Sequence, residues 1–360
     1  MSLKDALVAN KPREISGSSS ANRFQFQKDW AICKLLEMQM NDEEYVLIMD
    51  FHEDILIIDS DIAPQIAKFF QLKTKSNGNW TLNSLITSTK GKNSHLGKLY
   101  HNKMIFPVNN IELNFVSNAH YKLKLKNENS EDACLRYRDI CLNQLDYEPL
   151  KKITKKIKDE FILKDEPQFK DITYMRVTEL DIHSREPYTK GKVAEFFDAI
   201  DKGTKVNPAA VYRMLSNEIA KRNDYEWKIQ SFGDIITYKG ISKSTFTGFL
   251  NDLIRHSQVY CDWQNIEPNL LANGSGLREI KAIKDKWKTY EIERLSIKSN
   301  PTLNGIRERI IDILETIEDD SNYKILMEST FTEYSKRYEI FPVLYDEYYI
   351  KAIILMEFCL

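Results

Sequence analysis

A chain of 360 residues has room for two or three domains of ordinary size. At 42% hydrophobic and 29% charged residues it can bury ordinary cores and is not a disordered chain, and no apolar run approaches the ~20 residues that a membrane helix needs. A net charge of −2 excludes a general basic coat for nucleic acid. The five cysteines, Cys33, Cys134, Cys141, Cys261 and Cys359, are odd in number and form no C-x-x-C pair; together with an N-terminus lacking a signal-peptide layout, they point to a reduced, cytoplasmic protein.

Residues 1–21 read as a polar arm containing the loop Gly17-Ser18-Ser19-Ser20. Phe26, Trp30, Cys33, Leu36 and Met40 recur every three or four residues, which predicts a helix over 22–40 with one buried face. Short β-branched and aromatic runs predict strands at 45–49, 54–59 and 68–75, with Asp50-Phe51-His52-Glu53 turning the first into the second. Segments 80–90 and 94–104 read as helices and 111–117 as a strand, while the alternation over 121–126 extends the sheet. The predicted order is therefore helix, three strands, helix, strand.

After Asn127 the pattern changes. Helical periodicity covers 131–145, 149–161, 192–202, 208–222, 242–255, 277–297, 303–317 and 323–337, and 172–182 reads as a strand pair or an extended connector. This predicts an α/β domain over 1–126 and a mainly helical region over 127–360. The first 126 residues carry +3 and the remainder −5, so by charge the helical part is not the part that grips a polyanion.

Charge within the first domain is unevenly placed. Between Asn41 and Ile62 there are eight acids and no Lys or Arg, whereas between Lys68 and Lys126 there are ten lysines and one acid, Glu112. An acidic block beside a basic block suits a metal site next to a phosphate-binding surface, against the plainer reading of solvated faces. Strand side chains alternate, so Gln71, Lys73 and Lys75 share a face, and Asp54 opens the neighbouring strand with sixteen residues between it and Gln71. A carboxylate and an amide oxygen can hold a hard divalent cation, and a lysine beside them can steady a water or a phosphate. The six histidines lack zinc-ligand spacing, and His52 reads as a turn residue. No G-x-S-x-G or phosphate-loop pattern accompanies the serine run, and PLKKITKKIK over 149–158 reads as a solvated helix face.

The element order, with a carboxylate on the second strand and a (D/E/Q)-x-K on the third, resembles the αβββαβ core of the restriction-endonuclease-like fold, the PD-(D/E)xK superfamily. Arg23-Phe24-Gln25-Phe26-Gln27, Glu53-Asp54 and Gln71-Leu72-Lys73-Thr74-Lys75 followed by Trp80 resemble, more narrowly, the nuclease domain of bacterial anti-phage effectors, the Cap-type double-stranded-DNA endonucleases. The resemblance is clear over about 13–126 and extends more weakly to 210–218 and 239–246. It implies Mg2+-dependent (or Mn2+-dependent) cleavage of duplex DNA with little sequence specificity, held off until infection. Carried over by position, Asp54 and Gln71 are the metal ligands and Lys73 the catalytic lysine. Gln27, Asp50 and Glu53 are accessory candidates, and Lys75, Lys90, Lys92 and Lys98 track the DNA backbone. The absence of a recognisable nucleotide-sensing domain points to control by a separate partner, an SMC-like ATPase as in Lamassu-type systems or a HerA-type ATPase, and to a homo-oligomer, a tetramer or larger, as the active form. Gln71 in place of the usual acid keeps a second reading open, a degenerate nuclease that binds DNA or scaffolds an ATPase complex. Preference for DNA over RNA rests on the resemblance alone.

Overall fold

The computed structural model describes residues 3–9, 21–41, 44–88, 92–106, 110–200, 207–257, 263–294, 300–317, 322–340 and 344–359. The chain divides into two compact units, Met1–Lys192 with Ser216–Thr247, and Val193–Leu215 with Gly248–Leu360.

In the first unit, helices α1 (Leu3–Ala9) and α2 (Ala21–Gln39) precede strands β1 (Val46–Phe51), β2 (Glu53–Ile58) and β3 (Ile66–Lys73). The chain then forms β4 (Trp80–Thr81), α3 (Leu82–Ile86), α4 (His95–Ile105), β5 (Asn110–Ser117), β6 (Tyr121–Lys122) and β7 (Asp139–Cys141). It continues through α5 (Tyr147–Phe161), β8 (Thr173–Val177) and α6 (Arg185–Ile200), which passes into the second unit after Lys192, and α7 (Pro208–Asn223), which returns to the first unit at Ser216. A single turn, α8 (Phe232–Asp234), runs into a π-helical turn, Ile235–Lys239, then β9 (Gly240–Ser242) and α9 (Lys243–Ser257), which passes into the second unit after Thr247.

The expected helix–strand–strand–strand–helix–strand series is present from α2 to β5, with the short β4 and α3 inserted before α4. Seven strands form one sheet in the order β7-β8-β5-β3-β2-β1-β9. Strands β1, β2 and β3 are an antiparallel meander, β3, β5 and β8 run parallel, and β7 and β9 close the two edges antiparallel. Alternation sorts the side chains. Leu56, Ile58, Ala67 and Phe69 join the main core with Leu113 and Phe115, and Phe106 at the end of α4 stacks on Phe69 at 5.1 Å. The other face carries Phe70, against which Trp30 of α2 packs at 5.2 Å. Helices α4 and α2 therefore cover opposite faces of β3.

Residues 1–21 are not polar arm throughout, since α1 carries Ala6 and Leu7 into the main core, and three further expectations change. Residues 121–126 do not extend the main sheet: β6 pairs with β4 in a separate two-stranded ribbon, and the buried Tyr121 donates its hydroxyl to Phe115 O at 2.8 Å. Residues 131–145 are not one helix but 3-10 turns at Glu131–Arg136 and Leu142–Gln144 on either side of β7. The expected boundary at 126 falls inside the first unit, because β7, β8 and β9 complete its sheet from far along the chain.

The second unit is helical and includes α10 (Trp263–Ala272), α11 (Leu277–Arg294), α12 (Pro301–Leu314), α13 (Tyr323–Arg337) and α14 (Glu347–Phe358). Tyr349 to Met356 of α14 are buried without a break, among Ile283 and Tyr290 of α11, Ile306 and Ile310 of α12 and Met327 of α13. A helix apolar all round is one that neighbours enclose. Among the described residues no helix is long and apolar enough to cross a membrane.

Candidate active site

The site forms where β2 begins and β3 ends. The register pairs Ile55 with Phe70, so the next residues outward are Asp54 and Gln71. Directly opposed antiparallel residues lie on one face, and the polar contacts follow. Asp54 Oδ2 accepts from the main-chain N–H of Leu72 at 2.7 Å and from Lys73 Nζ at 3.2 Å. Gln71 Nε2 donates to Glu53 Oε2 at 3.3 Å, and Asn102 Nδ2 of α4 donates to Glu53 Oε1 at 3.1 Å. Glu53, Gln71 and Asn102 are all buried, whereas Asp54 and Lys73 are partly open to solvent. Gln71 Oε1 is buried and has no hydrogen-bond partner among the described residues.

The reversal from β1 to β2 is sharp. Phe51 pairs with Glu53 across His52 alone. His52 has φ 68° and Asp50 φ 44°, left-handed values that side chains other than glycine rarely adopt. Packing holds the turn: His52 Nε2 lies 3.2 Å from Leu7 O, and its ring meets Phe51 and Phe106 edge-on at 4.6 and 4.9 Å. Strained backbone kept in place by its surroundings directly precedes the two acids, a placement found often at functional sites.

The structure brings Asp54, Gln71, Lys73 and Glu53 together. Asp50 belongs to a different neighbourhood. Burial holds the Lys239 amine below the usual lysine range, and the carboxylates of Asp50, Asp224 and Glu226 pull against that shift. Gln27 lies on α2, over the Phe70 side of the sheet, and among the described residues no polar contact joins it to the acids. Lys75 lies past the end of β3; its Nζ donates to Asn79 O at 2.8 Å and sits 4.6 Å from the Trp80 ring, which ties it into the loop. Lys92 is exposed, and Lys98 stands one turn before Asn102 on the same side of α4. Lys90 lies outside the described residues.

Asn102 is the site residue that the sequence reading missed. It follows Leu96 and Leu99 on the buried stripe of α4, and a lone Asn in an apolar stripe is the signal that marks it.

Residues 15–223, more than half of the chain, match the Cap4 dsDNA endonuclease domain. The chain belongs to that family. The Cap4 match begins before α2 and ends with α7, so it contains Asp54, Gln71 and their partners Leu72, Lys73, Glu53 and Asn102. The chain is also 23% identical over 278 residues to the Lamassu protein LmuA of Bacillus cereus (strain VD014), covering 76% of this chain and 74% of that protein. No solved structure matches. The nuclease expectation, and its link to anti-phage defence, therefore hold at the level of the Cap4 family and its Lamassu relative.

Proposed function

We propose that this protein is a metal-dependent endonuclease that cuts double-stranded DNA with little sequence specificity, acting as the effector of a Lamassu-type anti-phage complex. The observation that carries the reading is the meeting of Asp54, Gln71 and Lys73 at the adjoining ends of β2 and β3, with a second acid, Glu53, in contact with Gln71. The α2-to-β5 series around that meeting supports a restriction-endonuclease-like core.

The donor set fits a hard divalent cation such as Mg2+ or Mn2+. It consists of carboxylate and amide oxygens, the ligands such ions take. The buried, unpartnered Gln71 Oε1 is the clearest mark of fit, since a buried acceptor without a donor costs about 1–3 kcal/mol. Asp54 and Gln71 would hold the ion. When bound, such an ion polarises the scissile phosphate and acidifies water.

The chain's own groups supply the rest. The Leu72 N–H and the Lys73 ammonium fix Asp54 Oδ2, leaving Oδ1 for the cation. Lys73 orients the attacking water and offsets the negative charge that builds as phosphorus gains a fifth oxygen. Lys92 and Lys98 bind backbone phosphates, which carry no sequence information, and this accounts for low specificity. One site cuts one strand, so a double-strand break needs two sites brought together; we assign that to homo-oligomerisation, as a tetramer or larger, under the control of an SMC-like ATPase. Similarity to a Lamassu protein favours this partner over a HerA-type ATPase. Against the degenerate-scaffold reading stands Glu53, which returns to the site the acid that Gln71 lacks.

The test is plasmid and linear duplex DNA, with duplex RNA alongside, incubated with the protein and Mg2+ or EDTA, with and without the products of the neighbouring genes. The expected result is Mg2+-dependent loss of DNA that Lys73→Ala abolishes. Cutting that persists in EDTA or in Lys73→Ala overturns the proposal, as does cutting confined to RNA.

A further inference from the structure

Building on the metal-dependent reading, we infer that Asn102 and Glu53 are positioning residues: together they lock the Gln71 carboxamide with its oxygen toward the cation site. The buried relay Asn102–Glu53–Gln71 joins α4, β2 and β3 within the first unit. A carboxamide alone has no preferred orientation, because its oxygen and its nitrogen have nearly the same shape. An ionised carboxylate only accepts. Glu53 Oε2, 3.3 Å from Gln71 Nε2, therefore fixes the NH2 group on its own side and turns Oε1 away. That oxygen is the buried, unpartnered one.

Glu53 must itself be held. Its other oxygen takes the Nδ2–H of Asn102 at 3.1 Å. Asn102, 1% exposed, is anchored by the buried stripe Leu96, Leu99 and Tyr100 of its own helix. The arrangement divides the work of one acid between two strands. Gln71 presents a neutral oxygen, and Glu53 behind it supplies the negative charge and the orientation. Groups that orient a ligand from behind commonly change metal affinity or activity by about 10–100-fold when lost.

The relay makes Gln71→Glu harmful, although it restores an acid of the (D/E)-x-K motif. It sets two carboxylates about 3.3 Å apart in a buried site and removes the Gln71 donor at Glu53 Oε2. Exchanging the pair, Glu53→Gln with Gln71→Glu, puts donor and acceptor back in contact at constant shape and charge.

The experiment measures Mn2+ alone by electron paramagnetic resonance on the full chain, a readout independent of activation, with duplex cleavage and thermal melting in parallel. Variants are Asn102→Leu, Glu53→Gln, Gln71→Glu and the double exchange. Asn102→Leu and each single variant at the pair are expected to weaken Mn2+ binding about tenfold or more and to slow cleavage, with DNA affinity in EDTA unchanged. The double exchange is expected to return both to within a few-fold of wild type, and, being isosteric, it answers the question even if Asn102→Leu fails to fold. A double exchange no better than its singles, or a folded Asn102→Leu with wild-type Mn2+ affinity, overturns the relay while leaving the nuclease reading standing. A wild-type protein that neither binds Mn2+ nor cuts DNA overturns both.

Discussion

Lys73 Nζ stands 3.2 Å from Asp54 Oδ2, and the same oxygen accepts the main-chain N–H of Leu72 at 2.7 Å. One carboxylate oxygen thus serves both the site and the strand, and variants can separate the two roles. Lys73 and Asp54 are 29% and 19% exposed, so solvent screens the ion pair, and Lys73→Ala is expected to change stability by less than about 1 kcal/mol. Asp54→Ala strands the Leu72 N–H and is expected to cost about 1–3 kcal/mol. Asp54→Asn keeps an acceptor for that N–H and is expected to be much closer to wild type in stability. All three are expected to lower cleavage by about 10²-fold or more. Urea denaturation beside plasmid cleavage checks the split; equal stability for Asp54→Ala and Asp54→Asn would count against the double role.

Glycine at position 97 is required by a neighbour rather than by its backbone. A Cβ there would stand 1.8 Å from Glu160 Oε2. Glu160, on the last turn of α5, accepts the Ser94 N–H at 2.9 Å and the Ser94 hydroxyl at 3.1 Å, while Ser94 Oγ caps α4 by accepting from Gly97 N. A carboxylate over the first turn of a helix is favourable by charge as well as by hydrogen bonding. Gly97→Ala is therefore expected to destabilise, against the usual gain for Gly→Ala in a helix, by about 1–2 kcal/mol through loss of the capped turn. Glu160→Gln, which keeps the shape, is expected to cost less. A thermal melt in which Gly97→Ala is neutral or stabilising would show that Glu160 moves aside freely.

Much of the site was legible because alternation is strict in strands. The period of two placed Gln71 and Lys73 on one face, and the run lengths placed Asp54 on the adjacent strand. Asn102 was hidden because nothing local ties it to Glu53; forty-nine residues separate them, and only the packing of α4 brings them together. The extent of the sheet was hidden for another reason. Strands β7 and β9 have three residues each, too few to show a period, and they take their form from the neighbours they pair with. Helix α14 shows the converse case: enclosed by α11, α12 and α13, it needs no polar face, so it lacks the amphipathic signature by which those three helices were found.

In the second unit Lys351 is nearly buried on α14 and meets three carboxylates, Glu328 and Glu347 at 2.8 Å and Glu279 at 3.1 Å. Burial alone would lower its pKa, but the hydrogen bonds to Glu328, Glu347 and Glu279 outweigh it and hold the amine above its ordinary 10.5. A raised lysine stabilises the folded chain fully below the unfolded pKa, and the benefit fades as pH rises through the folded value. Lys351→Met leaves three acids around an apolar side chain. Because those acids are 26–50% exposed, the cost is set below that of a fully buried pair, at about 2 kcal/mol. Denaturation curves should show a constant gap from neutral to mildly alkaline pH that closes only above the ordinary lysine range. A gap that closes near neutrality would argue against the charge assignment.

The lysines expected along the DNA path are not equivalent in the fold. Lys75 is committed to Asn79 O and the Trp80 ring, and Trp80 in turn donates to Ser117 Oγ at 2.8 Å. Removing Lys75 is expected to loosen that loop and lower the melting temperature, with little change in how DNA affinity responds to salt. Lys92 is exposed just before the Ser94 cap and, among the described residues, has no such structural duty. Each lysine that neutralises a phosphate contributes about 0.9 to the slope of log affinity against log salt. Lys92→Ala is thus expected to reduce that slope by about 1 and to weaken binding alike for unrelated duplex sequences, with stability unchanged. The measurement is binding of two unrelated duplexes in EDTA across a salt series. Slopes unaltered by Lys92→Ala but reduced by Lys75→Ala would reverse the assignment and move the DNA path from the α4 side of the site to the Trp80 loop.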